Sequence, residues 1–199
     1  MHIRAPAILL AARPHGETAV VARLLTEEFG LVAGYVAGGR GRRLRPVAIP
    51  GNAVDLQLSA RSDSQLPFAK LELTASRGPW LGEPLPAAAI GWVCALTATA
   101  LPERQPYPSL FNGLSGLLEA ICHAPSARGW AAGLVDYEIL LLRELGYGGS
   151  QQVHGELPEI LAAMDSLAEA LQRYILADRR GDVMAARHRL RDLLGRIAE

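Results

Sequence analysis

Apolar residues recur with two different periods along this chain, and the switch between them divides it. Within residues 3–75, short apolar runs alternate with turn residues. Residues 7–12 and 18–25 flank Arg13-Pro14-His15-Gly16-Glu17, whose proline and glycine predict the turn of a β-hairpin. A second turn at 26–30 leads into a third apolar run, 31–37. Residues 53–59 and 68–74 then alternate apolar and polar positions with period two, the pattern of half-buried strands, across a polar linker at 60–65. From Pro86 onward the spacing becomes helical. Residues 87–101 form one expected helix, and Leu110, Phe111, Leu114, Leu117, Leu118 and Ile121 trace the single apolar face of a second. A third helix is expected over 128–145 with Gly146 placed to stop it, and two more over 157–177 and 183–198, split by Arg179-Arg180-Gly181-Asp182.

Five short strands ahead of a helical half predict an α+β multidomain chain, with residues 1–79 as a small β-barrel and 80–199 as an all-α domain. The five-stranded OB-fold is the commonest such barrel that binds nucleic acid; an SH3-like barrel fits the same periodicity. No internal repeat or low-complexity segment stands out.

Composition changes this picture in one respect. Formal net charge is zero, yet residues 1–80 carry +4 and residues 81–199 carry −4. A basic barrel beside an acidic helical half points to an anionic partner for the first and another task for the second. Cys94 and Cys122 lie in apolar helical runs without CxxC spacing, so they read as buried thiols in a reducing compartment and no zinc site is expected. The short apolar start is interrupted by Arg13 and is not read as a signal peptide. The uncharged run 84–102 is bounded by prolines and contains alanine, glycine and threonine in place of leucine, which favours a buried helix over a membrane span.

Candidate chemistry concentrates at Gly38-Gly39-Arg40-Gly41-Arg42-Arg43-Leu44-Arg45, four arginines and three glycines placed between strands. Guanidinium forks suit phosphate oxygens and glycines let backbone approach a ligand, so a flexible phosphate-binding loop is expected; a solvated loop has the same composition. Arg4, Arg13, Arg61, Lys70 and Arg77 extend the candidate patch. The loop lacks the GxxxxGK[ST] form of a nucleotide-hydrolysing P-loop. His15, His123, His154 and His188 are scattered and read as surface or structural residues, and no paired carboxylates or nucleophile with its base emerge, so no enzyme is expected. Arg187, Arg189, Arg191 and Arg196 lie opposite Leu190, Leu193, Leu194 and Ile197 on the last helix and read as a solvated basic face. Only Phe29, Tyr35 and Phe68 are available to stack on bases within the barrel, and some of them must fill it. Binding is therefore expected to be dominated by phosphate contacts, weak in base preference and sensitive to salt.

The order Arg13-Pro14-His15-Gly16-Glu17-Thr18, Leu24-Leu25-Thr26-Glu27-Glu28-Phe29-Gly30-Leu31 and Ala37-Gly38-Gly39-Arg40-Gly41 resembles the N-terminal signature of the bacterial RecO recombination and repair proteins. Tyr137-Glu138-Ile139-Leu140-Leu141-Leu142-Arg143-Glu144-Leu145-Gly146-Tyr147 resembles that family's central helix. The resemblance implies an OB-fold joined to a helical domain and a cytoplasmic, non-catalytic mediator without a cofactor. Such proteins bind single- and double-stranded DNA, anneal complementary strands and help load RecA onto DNA coated by single-stranded DNA-binding protein. The implied partners are RecR and the acidic tail of that coating protein. By position, Arg40, Arg42, Arg43 and Arg45 fall in the basic part of the OB domain. Many relatives carry a four-cysteine zinc module after the segment matching Leu145-Gly146-Tyr147, whereas Gly148-Gly149-Ser150-Gln151-Gln152-Val153-His154 holds no cysteine. The alternative from another class is a protein-docking adaptor that uses an OB-like barrel and never meets DNA.

Overall fold

The computed structural model describes residues 2–60, 62, 65–148, 153, 155–177 and 183–198. Five strands come first: β1 (His2–His15), β2 (Ala19–Thr26), β3 (Gly30–Val36), β4 (Ala53–Ser59) and β5 (Phe68–Ala75). They close into a barrel in the order β1-β2-β3-β5-β4, with β4 pairing back onto β1 and a short parallel contact between β3 and β5 at Tyr35 and Phe68. This is the strand order of the five-stranded OB-fold, which the pattern alone left open against an SH3-like barrel.

β1 is longer than its apolar run, because its first half pairs with β4 and its second half with β2, with an irregularity between Leu9 and Ala11 that bends it around the barrel. Arg13, Pro14 and His15 thus belong to the strand and not to the turn. Pro14 is tolerated there because this stretch of β1 has only β2 as a neighbour. Period-two alternation does the rest. Val54, Leu56 and Leu58 of β4 and Ala69 and Leu71 of β5 point into the core with Leu9, Leu24 and Val32, while Asp55, Lys70 and Glu72 face out.

The chain divides into two compact units, residues 1–79 with 101–111, and residues 80–100 with 112–199. Residues 101–111, beyond the boundary expected at residue 79, group with the barrel unit. There the Arg104 N–H donates to the Leu31 carbonyl at 2.8 Å and Glu103 pairs with Arg23 at 3.5 Å.

The helical unit contains α1 (Pro84–Ala100), most of α2 (Pro108–His123), α3 (Ala131–Glu144), α4 (Leu157–Ala170) and α5 (Met184–Gly195). A π-helical turn, Leu171–Leu176, continues α4. α1 is apolar all round and buried on several faces, as its uncharged sequence requires. Gly146, with φ of +84°, ends α3 in the left-handed conformation, and the Tyr147 N–H reaches back to the Leu142 carbonyl. α4 starts with a reciprocal cap in which the Glu156 N–H donates to the Glu159 carboxylate at 2.8 Å. Among the described residues no helix is long and apolar enough to cross a membrane.

Candidate nucleic-acid interface

The connection from β3 to β4 is built, not loose. Successive N–H groups bond back three or four residues, Gly41 to Gly38, Leu44 and Arg45 to Gly41, and Val47 and Ala48 to Leu44, giving a run of tight turns. Leu44, Val47 and Ala48 pack onto the barrel core, which turns the polar side of this segment outward. Gly39 lies against Val20 so closely that a Cβ would meet its Cγ2 at 2.6 Å. Buried Asn52 pins the far end: its Nδ2 donates to the carbonyls of Pro46 and Val47, both at 3.0 Å, and its Oδ1 accepts from the Arg77 N–H at 2.7 Å. The expected flexible loop is thus an ordered one. Asn52 is a residue the pattern did not single out; its only signal is a Gly-Asn pair before an alternating strand.

Arg40, Arg42, Arg43 and Arg45 are all exposed, and among the described residues none of them has a carboxylate partner. Arg40 folds toward the β1–β2 turn, where its N–H bonds the Thr18 carbonyl at 2.9 Å and Nη1 donates to the Glu17 carbonyl at 3.1 Å. That turn follows Arg13 and His15, which share the outer face of β1. The acidic Glu27 and Glu28 sit at the opposite end of β2, whose eight residues separate the two turns by about 25 Å. Glu17 is the one carboxylate in the β1–β2 turn itself.

The remaining candidates are not all gathered here. Lys70 is exposed on β5 in a row with Gln57 and Arg4 across β4 and β1, next to a second row that places Asp55 opposite Glu72. A cleft of about 380 Å³ between them is lined by Arg4, Asp55, Gln57 and Glu72, so this face is of mixed charge. Arg77 is buried and drops out of the exposed patch. Arg61 lies outside the described residues.

Two of the barrel's three aromatic residues are on its outer face. Phe68 is 63% exposed and Tyr35 half-buried, with ring centroids 5.4 Å apart edge-to-face, and His15 meets Tyr35 at 5.8 Å in the same manner. Phe29 alone packs partly against the core. The row exists because β3 and β5 approach closely at Gly34, where a Cβ would meet Ala69 Cβ at 2.6 Å.

One arginine of the last helix departs from the expected solvated face, while Arg189 and Arg196 are exposed as expected. Arg187 is buried and grips Glu138 of α3 with two bonds, Nε to Oε1 at 2.9 Å and Nη2 to Oε2 at 2.7 Å. Arg187 Nη2 also donates to the Met164 carbonyl, and Trp92 Nε1 donates to Glu138 Oε1 at 2.8 Å. Arg187 is therefore a core residue, not part of a solvated face; its i, i+3, i+7 spacing with Leu190 and Leu194 is the signal for that. Arg191 makes a two-bond pair with Asp165, which holds that carboxyl below its ordinary value, first through the hydrogen bonds from the guanidinium. Burial pushes the Tyr137 phenol well above its usual range, so it stays neutral in its 2.7 Å hydrogen bond with Thr97. Among the described residues no three of His, Cys, Asp or Glu are grouped to hold a metal ion; part of the stretch after Tyr147, residues 149–152 and 154, lies outside them.

Comparison with known proteins agrees with this architecture. A family model described as Recombination protein O N terminal matches residues 1–77, the strand-forming part, and one described as Recombination protein O C terminal matches residues 84–155. The chain is similar to a DNA repair protein RecO from Rhodospirillum centenum, 46% identical over 71% of this chain and 56% of that protein. It is also similar to one from a Ruegeria species, 41% identical over 74% of this chain and 61% of the relative. The match thus spans about three-fifths of the length of the relatives. With both family models matched in order, the chain belongs to the RecO family of recombination and repair proteins.

Proposed function

We propose that this protein is a cytoplasmic DNA-repair and recombination mediator whose barrel binds single- and double-stranded DNA. In this reading it promotes annealing of complementary strands and helps load RecA onto DNA coated by single-stranded DNA-binding protein. RecR and the acidic tail of the coating protein are its partners, received by the helical domain, and no small molecule is turned over. Membership of the RecO family supports the biological role, since the matched relatives are DNA repair proteins by name.

One observation carries the DNA-binding part: an ordered connection holds Arg42, Arg43 and Arg45 out to solvent without carboxylate partners among the described residues, beside Arg40 and Arg13 at the β1–β2 turn. Charges arranged in this way hold a polyanion's backbone without reading its sequence. Arg61 and Lys70 belong to the same proposal as outlying contacts. The test is a salt-titrated shift of a labelled single strand. The chain should bind at low salt, and replacing Arg40, Arg42, Arg43 and Arg45 with alanine should flatten the log–log salt slope by up to about 3, at roughly 0.7 per lost phosphate contact. Failure to bind any DNA at low salt would favour the protein-docking adaptor.

A further inference from the structure

The barrel's outer aromatic row is a cost to the fold that phosphate binding does not use. Phe68 and its neighbour Leu66 are exposed where a water-soluble barrel has no need of apolar side chains, and burying either would be favourable. The strand register aligns Arg13, Val21, Tyr35 and Phe68 side by side on β1, β2, β3 and β5, a row three strand steps of about 4.8 Å long. His15 joins it from the same face as Arg13, two residues along β1, and contacts the Tyr35 ring. Beyond Phe68 lies an open cavity of about 460 Å³ bounded by Ser59, Ala60, Gln65 and Leu66. The Tyr35 N–H bonds the Pro67 carbonyl at 2.8 Å, so the β4–β5 connection is fastened beside the row.

Cationic groups at one end of the row and flat rings along it match an unpaired strand: phosphates go to Arg13 and Arg40, bases to the rings. A duplex keeps its bases stacked on each other and offers the same phosphates but no free faces. We infer that His15, Tyr35 and Phe68 form a stacking platform for unpaired nucleobases, with Phe68 and the adjoining cavity as its main seat, and that this row makes the barrel prefer single-stranded over duplex DNA. The inference rests on the DNA-binding reading above and adds the feature of the strand that is recognised. It also revises the sequence-based expectation that phosphate contacts dominate for want of aromatics, because β3 and β5 spend their aromatics on the surface. Position favours the reading too, since the β2–β3 face between the first and fourth strand connections is where OB barrels take oligonucleotides. An acidic peptide with apolar side chains is the competing occupant of such a row, and the ligand series below tells the two apart.

Three ligands separate the possibilities: a thymidine strand of about 16 nucleotides, the upper site size of one OB barrel, an abasic strand of equal length, and a duplex of equal length. The full chain carrying Tyr35→Ala with Phe68→Ala should bind the thymidine strand roughly 10-fold more weakly, as loss of a stacked base implies. It should bind the abasic strand and the duplex as before, while Phe68→Tyr should bind like the parent. An unchanged melting temperature confirms that the variant folds; Phe68→Ala alone, at the more exposed position, serves if the double variant does not. Equal weakening on all three ligands, or none on any, would overturn the platform while leaving DNA binding intact and the row to a protein partner. Absence of binding to every ligand by the parent chain would instead sink the DNA-binding reading itself.

Discussion

Two sets of arginines, one in each unit, are treated in opposite ways. In the barrel unit, Arg13, Arg40, Arg42, Arg43 and Arg45 are exposed and, among the described residues, meet no carboxylate, whereas Arg23 pairs with Glu103 and Arg77 is buried. In the helical unit, Arg128, Arg187 and Arg191 are each committed to a carboxylate, on Glu156, Glu138 and Asp165. An exposed, hydrated guanidinium adds little to stability, while a buried one must be fully bonded or the fold fails. The same residue type thus serves the fold in the second set and is left available to a ligand in the first. Net charge, +4 against −4 between the two ends of the sequence, reports the sum of these arrangements but not which arginine does which.

The sharpest way to break the comparison is at Glu138. Arg187→Ala leaves a buried carboxylate without its guanidinium, a loss of about 3–5 kcal/mol in urea unfolding. DNA binding measured at a temperature where the variant stays folded should not change. Replacing both partners, Arg187→Met with Glu138→Leu, should restore part of that stability, short by the roughly 1–3 kcal/mol of an unsatisfied Trp92 N–H. If Arg187→Ala unfolds no more easily than the parent, the pair is not the structural centre of the helical unit.

The second effect in size runs the other way. The variant lacking Arg40, Arg42, Arg43 and Arg45 should lose roughly two orders of magnitude in affinity for DNA at low salt. Its unfolding free energy should move by less than about 0.5 kcal/mol, as for surface positions in general. A large loss of stability would mean that these arginines hold the β3–β4 connection together, and the contrast between the units would fail.

Smaller again is Asp165→Asn. Asp165 is half exposed, so the pair with Arg191 is worth less than about 1 kcal/mol. Because its carboxyl is held below the ordinary value in the folded chain, the contribution is fully present above the unfolded value and fades as pH falls through the folded one. Parent and variant should therefore converge in stability in acid and differ slightly at neutral pH. The smallest expected effect is none: metal analysis should find no stoichiometric zinc, and chelator should leave the melting temperature where it was. A full equivalent of zinc would show that ligands were overlooked.

Much of the fold was legible because β4 and β5 alternate cleanly and the earlier strands are short apolar runs between turn residues. Val54 to Leu58 and Ala69 to Leu71 announce a two-faced barrel wall, and Leu110 to Ile121 a one-sided helix. What the pattern could not carry was pairing. The spacing of Arg187 with Leu190 and Leu194 puts it on the apolar face, but nothing local names its partner Glu138, 49 positions away. Pro14 looked like a turn residue because nothing local says that β1 has one neighbour there. The loop's arginines were visible as a cluster, but their ordering depends on Asn52 and on Leu44 reaching the core. Tyr35 and Phe68 were visible as aromatics, yet which way they face follows only from the register that sets them in one row.

The most direct test of the central claim is the salt dependence of single-strand binding by the parent chain and by the variant lacking Arg40, Arg42, Arg43 and Arg45, measured side by side with their unfolding curves. A shallower salt slope and weaker binding with an unchanged unfolding midpoint is the predicted result. Identical slopes for the two proteins, or equal loss of binding and stability, would contradict it.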